Sequence, residues 1–265
     1  MDLGIRGRVA LITGGSRGIG RATALQFAAE GVRVAIAARD EKELKTVARE
    51  IADAHGTEVF TCIADCTREP DVQRLVKETV ARFGTIDILV NSIGDAAAGH
   101  FEELTEEDWA RSISLKLLGQ IRTVKAALPH MRKQRWGRVI NVNGGHGKQP
   151  PYWALPAGVT NAGLTAFTKG LVLAVAKDNI LVNCVSPGPV DPEDTRRLRY
   201  VLPHKARVLG VDEARIKDIT ISEIPIGRMV RAHEVASMIV FLASDHASGI
   251  TGTDIDVDGG WIKGT

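Results

Sequence analysis

The run Thr13-Gly14-Gly15-Ser16-Arg17-Gly18-Ile19-Gly20 directly follows the apolar stretch Val9-Ala10-Leu11-Ile12. A chain that leaves a strand there must turn tightly, show backbone N–H groups to a pyrophosphate and start a helix close to the sheet. Each demand favours residues without a Cβ, and Gly14, Gly18 and Gly20 stand where the demands fall. Taken alone, such a turn is also an ordinary tight link between strand and helix. A second charged stretch, Arg196-Arg197-Leu198-Arg199-Tyr200, is either an anchor for an acidic or phosphorylated substrate or, more commonly for such runs, a solvated helix face. The seven histidines show no ligand spacing with cysteines or carboxylates, so no metal site is expected.

The elements that must position these residues alternate. The segments Val9 to Ile12, Val32 to Ala37, Val59 to Ile63, Ile86 to Val90, Arg138 to Val142, Leu181 to Val185 and Asp254 to Val257 read as seven strands. Most are continuously apolar, the mark of strands buried on both faces. Between them lie helical patterns at Arg21 to Glu30, Glu41 to Ala54, Glu69 to Phe83, Glu106 to Lys133, Leu155 to Lys177 and His233 to Ala243. The expectation is an α/β fold, a Rossmann-like doubly wound seven-stranded parallel sheet with helices on both faces. Residues 191–223 mix charged and apolar residues and could form a helical lid over the strand ends.

Composition agrees with one domain over 1–265. The 265 residues are 44% hydrophobic and 25% charged, enough for one large core. With 34 Lys and Arg against 32 Asp and Glu, the net charge of +2 gives no footprint for nucleic acid or a membrane surface. Cys62, Cys66 and Cys184 form neither an even set nor a CxxC pair, and the first residues lack the pattern of an export signal. A cytoplasmic protein with reduced thiols is expected.

The spacing Gly14-x-x-x-Gly18-x-Gly20 resembles that of the short-chain dehydrogenase/reductase family. So do Asn91-Ser92-Ile93-Gly94, Pro187-Gly188, Asp258-Gly259-Gly260 and the run Ile224-Pro225-Ile226-Gly227-Arg228, the last much like β-ketoacyl-carrier-protein reductases. The resemblance covers essentially the whole chain. It implies that the loop from Gly14 through Ser16, Arg17, Gly18 and Ile19 to Gly20 holds a pyrophosphate, that Asp65 meets the adenine, and that Asn91 and Gly94 line the adenosine ribose region. Pro187, Gly188 and Val190 would then meet the nicotinamide end. In this family an acidic residue at the end of the second strand marks NAD use. Here that strand ends Ala37-Ala38-Arg39, and Arg39 with Arg17 could grip a 2′-phosphate by charge-assisted hydrogen bonds. NADP(H) is expected in preference to NAD(H).

The same resemblance exposes a departure at the proton-transfer positions. The family uses a serine, a tyrosine, a lysine four residues after the tyrosine, and an asparagine on the long helix. Aligning Asn161-Ala162-Gly163-Leu164 with the family's Lys-Ala-Gly-Leu puts Asn161 at the lysine and Ala157 at the tyrosine, Gly144 at the serine, and Ser114 at the asparagine. Asn161 could still hydrogen-bond a cofactor ribose hydroxyl but carries no charge. Substitutes could come from the loop 143–152. Asn143 could polarise an oxygen or be structural. His146 has the suitable pKa, against a loop histidine bonded to backbone or water. Tyr152 could be an acid or pack beside Trp153, and Lys148 could be merely solvent-exposed. General acid–base help is worth about 10²–10⁴-fold, so ordinary ketone reduction should suffer, while hydride donation belongs to the nicotinamide. Two functions stand: an NADP(H)-dependent oxidoreductase with an atypical site acting on a small carbonyl, alcohol or related electrophile, and a catalytically silent cofactor-binding member with a regulatory or assembly role. The resemblance implies a homotetramer or homodimer joined through the helices over Glu106 to Lys133 and Leu155 to Lys177.

Overall fold

A computed structural model describes residues 2–264, the side chains of 196–198 excepted. Seven strands form one all-parallel sheet: β1 (Val9–Thr13), β2 (Arg33–Ala38), β3 (Phe60–Ile63), β4 (Ile88–Asn91), β5 (Gly137–Val142), β6 (Ile180–Pro187) and β7 (Asp254–Val257). Their order is β3-β2-β1-β4-β5-β6-β7, so the winding reverses between β1 and β4. Every residue of β1, β4 and β5 is buried, which is why these strands are mostly apolar, with Thr13, Asn91, Arg138 and Asn141 as their buried polar exceptions.

Helices cover both faces. On one lie α1 (Gly18–Ala29), α2 (Glu41–His55) and a C-terminal helix, Ala232–Ala243; Phe27, Leu44, Val47, Ile51, Val235 and Ile239 pack on Ala10, Ile12, Ile36, Val90 and Ile140. On the other, α3 (Glu69–Phe83), with Val72, Leu75 and Val76, packs on Leu11, Ala35, Leu89 and Val139. The alternation of Ala10, Leu11 and Ile12 between the two cores is the period-two geometry of a strand. The helix ends follow their residues: Asp40 caps α2 by accepting the Glu43 N–H, and Gly56 (φ 64°) and Gly84 (φ 84°) close α2 and α3 in the left-handed region.

The long helix expected over Glu106 to Lys133 is one rod with a changed pitch in its middle. It runs as α4 (Glu106–Ser112), a π-helical segment Ile113–Leu118, and α5 (Gly119–Gln134). A π segment widens the turn by one residue and rotates the side chains that follow. The next helix, α6 (Leu155–Val175), is long and apolar enough to cross a membrane by length and composition, yet Leu164 and Val175 are buried against the chain's own sheet layer. The expected lid contains two helices, α7 (Arg196–Leu209) and α8 (Glu213–Ser222), and the C-terminal helix is α9.

A polar ladder crosses the sheet interior. Thr13 Oγ1 and Thr123 Oγ1 donate to Asn91 Oδ1, Asn91 Nδ2 donates to Asn141 Oδ1, and Asn141 Nδ2 donates to Thr168 Oγ1. These groups are buried and mutually satisfied, so they fix the register of β1, β4 and β5 where the winding reverses.

Candidate active site

Doubly wound sheets bind ligands at the carboxyl ends of their strands where the winding reverses, here between β1 and β4. The glycine loop lies at that point. Gly14 (φ 71°) and Gly18 (φ 53°) adopt left-handed backbone, and a Cβ on Gly14 would run into the Ser92 carbonyl. A Cβ on Gly20 would run into the Gly14 carbonyl, so the loop closes on the start of α1 as a dinucleotide cradle requires. Ile19 lies in the first turn of α1 and packs on the core. Gly188 follows the same logic after β6, where a Cβ would stand 2.8 Å from the Asp258 Cα. Beyond it, Val190 pairs with Val230 in an isolated bridge that ties the start of the lid to the chain before α9. The lid passes over the cradle: Asp194 and Thr195 flank Gly18, and Asp194 is held by Arg231 and the Ala232 N–H. The cradle fits a nicotinamide dinucleotide.

Three of the residues expected at the cofactor have partners within the chain. The Asn91 side chain is engaged in the polar ladder between the strands. Asp65 uses Oδ1 to hold the N–H and hydroxyl of Thr67, which shapes the turn into α3. Arg17 ion-pairs with Glu43 and lies 3.7 Å from Asp40, while Ser16 Oγ donates to Glu43 at 3.3 Å. Arg39 is exposed and has no ion pair among the described residues.

The proton-transfer positions come together, with one correction. Gly144 and Asn161 touch: Asn161 Nδ2 donates to the Gly144 carbonyl at 3.1 Å, and a Cβ on Gly144 would stand 2.8 Å from that Nδ2. Ala157 is buried in a cluster with Ala96, Ala98, Trp153, Val201 and Val208, so loop and lid side chains occupy the neighbourhood of the expected tyrosine. The long helix does not send Ser114 to this place. Through the π segment it sends Lys116, whose Nζ donates to the carbonyls of Val142 (2.7 Å) and Asn143 (3.0 Å), while the Ser114 carbonyl accepts from Arg122 on α5. Gly94 accommodates that lysine; a Cβ there would stand 2.5 Å from Lys116 Cδ.

Of the substitute candidates, Asn143 is turned beneath α6: its Nδ2 lies within hydrogen-bond distance of Asn161 O, Thr165 Oγ1 and Asp254 Oδ2, while its Oδ1 is buried without a hydrogen-bond partner among the described residues. Asp254, which sequence reasoning missed, also accepts from Thr165 Oγ1 (2.7 Å) and from Ser186 Oγ (2.6 Å), and Ser186 Oγ accepts the Gly144 N–H. The loop that begins at Asn143 and Gly144 is thus fastened to β6 and β7. His146 lies between two indoles, 5.2 Å from Trp153 and 5.3 Å from Trp261 by ring centroids. Tyr152 is 60% exposed and makes no hydrogen bond among the described residues, whereas its neighbour Trp153 is buried. Lys148 is bound to the carboxylate of Asp256 at 2.7 Å and to the Asp254 carbonyl. Burial raises the Asp256 carboxyl above its ordinary value, against the pull of Lys148. Burial also pushes the Cys184 thiol to about 12, so it supplies no thiolate.

The lid is latched to this loop. Lys205 on α7 is buried, pairs with Glu223 at 2.9 Å and lies 5.8 Å over the Trp153 ring, and Trp261 Nε1 donates to the same glutamate. Arg207 bonds Glu103 across the mouth of the cleft. Of the Arg196 to Tyr200 run, the side chains of 196–198 lie outside the described residues, and Arg199 and Tyr200 are exposed.

Comparison with known proteins places this geometry. Residues 14–262 match the family model described as enoyl-(acyl carrier protein) reductase. The chain is 38% identical over 263 residues to an L-fucose dehydrogenase of Bos taurus, covering 98% of this chain and 92% of that one. It is 33% identical over 260 residues to a 3-oxoacyl-[acyl-carrier-protein] reductase of Aquifex aeolicus, covering 98% and 99%. Among solved structures, an actinorhodin polyketide ketoreductase variant with NADPH superposes with a TM-score of 0.91 at 33% identity, covering 97% of this chain and 98% of that one. L-sorbose reductase from Gluconobacter frateurii, complexed with NADPH and L-sorbose, superposes with a TM-score of 0.91 at 32% identity, with full coverage of both chains. Match length, identity and a cradle built for a dinucleotide agree, and the chain belongs to the short-chain dehydrogenase/reductase family of oxidoreductases.

Proposed function

We propose that the protein is an NADP(H)-dependent oxidoreductase that moves a hydride between the nicotinamide and a small carbonyl, alcohol or related electrophile without the family's usual serine, tyrosine, lysine and asparagine. The intact cradle carries this reading, because positions where a Cβ would strike backbone are kept as glycine around an otherwise conventional pyrophosphate loop. The Arg39 side chain at the end of β2 supports the phosphorylated cofactor over NAD(H), and two structural neighbours hold NADPH.

When bound, the cofactor supplies the hydride. The chain's own residues do the rest. The glycine loop and Arg39 bind, Gly188 and Val190 set the nicotinamide end, and the lid latch of Lys205, Glu223 and Trp261 limits water over the loop 143–152. Lys116 and the indole-flanked His146 lie near the position expected for the serine, beside Asn161 and Ser186. Such a site suits acceptors that need little proton assistance, an iminium or a polarised enone, better than an unactivated ketone. Exposed Leu118, Val159 and Leu173 on the π segment and α6 support assembly into a homodimer or homotetramer, and the three buried free thiols suit a reducing compartment such as the cytoplasm.

The buried packing around Ala157 favours a second reading, a silent cofactor-binding regulator. Fluorescence titration with NADPH and NADH, followed by a panel of ketones, enones and imines monitored for NADPH oxidation, decides between them. Tight NADPH binding with no turnover selects the silent reading, and equal or tighter binding of NADH removes the NADP(H) assignment.

A further inference from the structure

Lys116 carries a positive charge into the floor of the cleft from an unexpected side. Its ammonium holds the carbonyls of Val142 and Asn143 at the carboxyl end of β5, and the next carbonyl along, that of Gly144, is held by Asn161 from α6. Side chains from two helices therefore meet on three consecutive residues. The lysine stem lies against Gly94, and Gly94 belongs to the segment after β4 whose Ser92 carbonyl closes on Gly14 of the cradle. Cradle, ammonium and α6 thus form one continuous floor at the reversal of the winding. The π segment is what allows this, since its wider turn rotates residue 116 toward the strand end.

Resting on the cofactor reading above, we propose that Lys116 and Asn161 are a reciprocal exchange, in which Lys116 supplies from the π segment the cation that holds the nicotinamide-side ribose of the bound dinucleotide. Asn161 is uncharged and donates to Gly144, so its part is to shape the loop. An ammonium N–H that turns from a carbonyl to a ribose hydroxyl makes a charge-assisted hydrogen bond, stronger than that of a neutral amide. The two residues divide between them charge and shape.

The test compares two ligands on the intact chain: NADPH, and adenosine 2′,5′-bisphosphate, which has the phosphorylated adenosine end but no nicotinamide ribose. Lys116→Gln should raise the NADPH Kd about tenfold, the order expected for loss of a charge-assisted bond. The bisphosphate Kd should stay within about twofold, because that ligand lacks the ribose that Lys116 is proposed to hold. The exchange variant, Lys116→Asn with Asn161→Lys, should bind NADPH within about threefold of the parent, while Lys116→Asn alone stays weak. Unchanged NADPH affinity in Lys116→Gln, equal weakening of both ligands, or an exchange variant no better than Lys116→Asn overturns the proposal. If Lys116→Gln does not fold, the exchange variant decides. A parent chain that binds neither NADPH nor NADH overturns the cofactor reading itself.

Discussion

Glu43 is the residue through which the cofactor preference is most directly perturbed. It accepts from Ser16 and ion-pairs with Arg17, the loop cation expected to share a 2′-phosphate with Arg39. A phosphate arriving there competes with Glu43 for Arg17 and feels its charge. The Arg17 side chain is 41% exposed and that of Glu43 22%, so the pair sits between the water and protein limits. With the phosphate at about 6 Å and an effective dielectric of about 40–80, one unit charge is worth about 0.7–1.4 kcal/mol. Glu43→Gln should therefore lower the NADPH Kd about three- to tenfold at low salt, and the gain should shrink at about 0.5 M salt, where the screening length is only a few ångströms. The NADH Kd should stay within about twofold, because NADH lacks the phosphate. The assay is paired fluorescence titration of both cofactors at both salt concentrations. Equal gains for NADH and NADPH, or weaker NADPH binding, would show that Glu43 does not oppose a 2′-phosphate and that Arg17 has another task.

Three further outcomes follow from the geometry. Asp254→Asn places an amide among three donors and should cost about 2–3 kcal/mol, lowering the Tm by about 4–10 °C, measured by thermal unfolding; an unchanged Tm would mean that the network does not fasten the loop. The bonds from Arg228, then the Arg231 N–H, hold the Glu234 carboxyl at about 2, below its ordinary value of 4.5. Because the folded value is depressed, its contribution is complete above about pH 4.5 and is lost as pH falls toward 2, so the Tm gap between the parent and Glu234→Gln should close over that interval. Burial pushes the Cys62 thiol to about 11 and those of Cys66 and Cys184 to about 12, so at pH 8 the native chain should react slowly with a thiolate-selective reagent while the denatured chain titrates three thiols.

The sheet and most helices are legible in the sequence because each is specified locally. Strands buried on both faces are dominated by apolar residues, and α2 declares itself through Leu44, Val47 and Ile51 at helical spacing between Asp40 and Gly56. The cradle is legible for a related reason, since backbone without a Cβ leaves glycine in the text. What the sequence hides is side-chain direction. The one-residue widening of the π segment, which no periodicity announces, turns Lys116 instead of Ser114 to the strand end. Asn143 and Asn91 look like ligands for a substrate or ribose, but their amides complete polar networks with partners 111 and 50 residues away, respectively. Asp254 is one acid in a charged strand until β6 and α6 bring Ser186 and Thr165 to it. Tyr152 and Trp153 are adjacent aromatics, and only the closing lid decides which is covered.

The close approach of Gly94 to Lys116 makes the two positions one unit of inheritance. Any side chain gained at 94 would displace the lysine stem, since a Cβ there would stand 2.5 Å from Cδ. Loss of the stem would in turn open room that a residue larger than glycine fills. Across descendants of a common ancestor the two sites should drift together: lineages with bulk at the place of Gly94 should carry a short residue at the place of Lys116, and lineages with the lysine should keep the glycine.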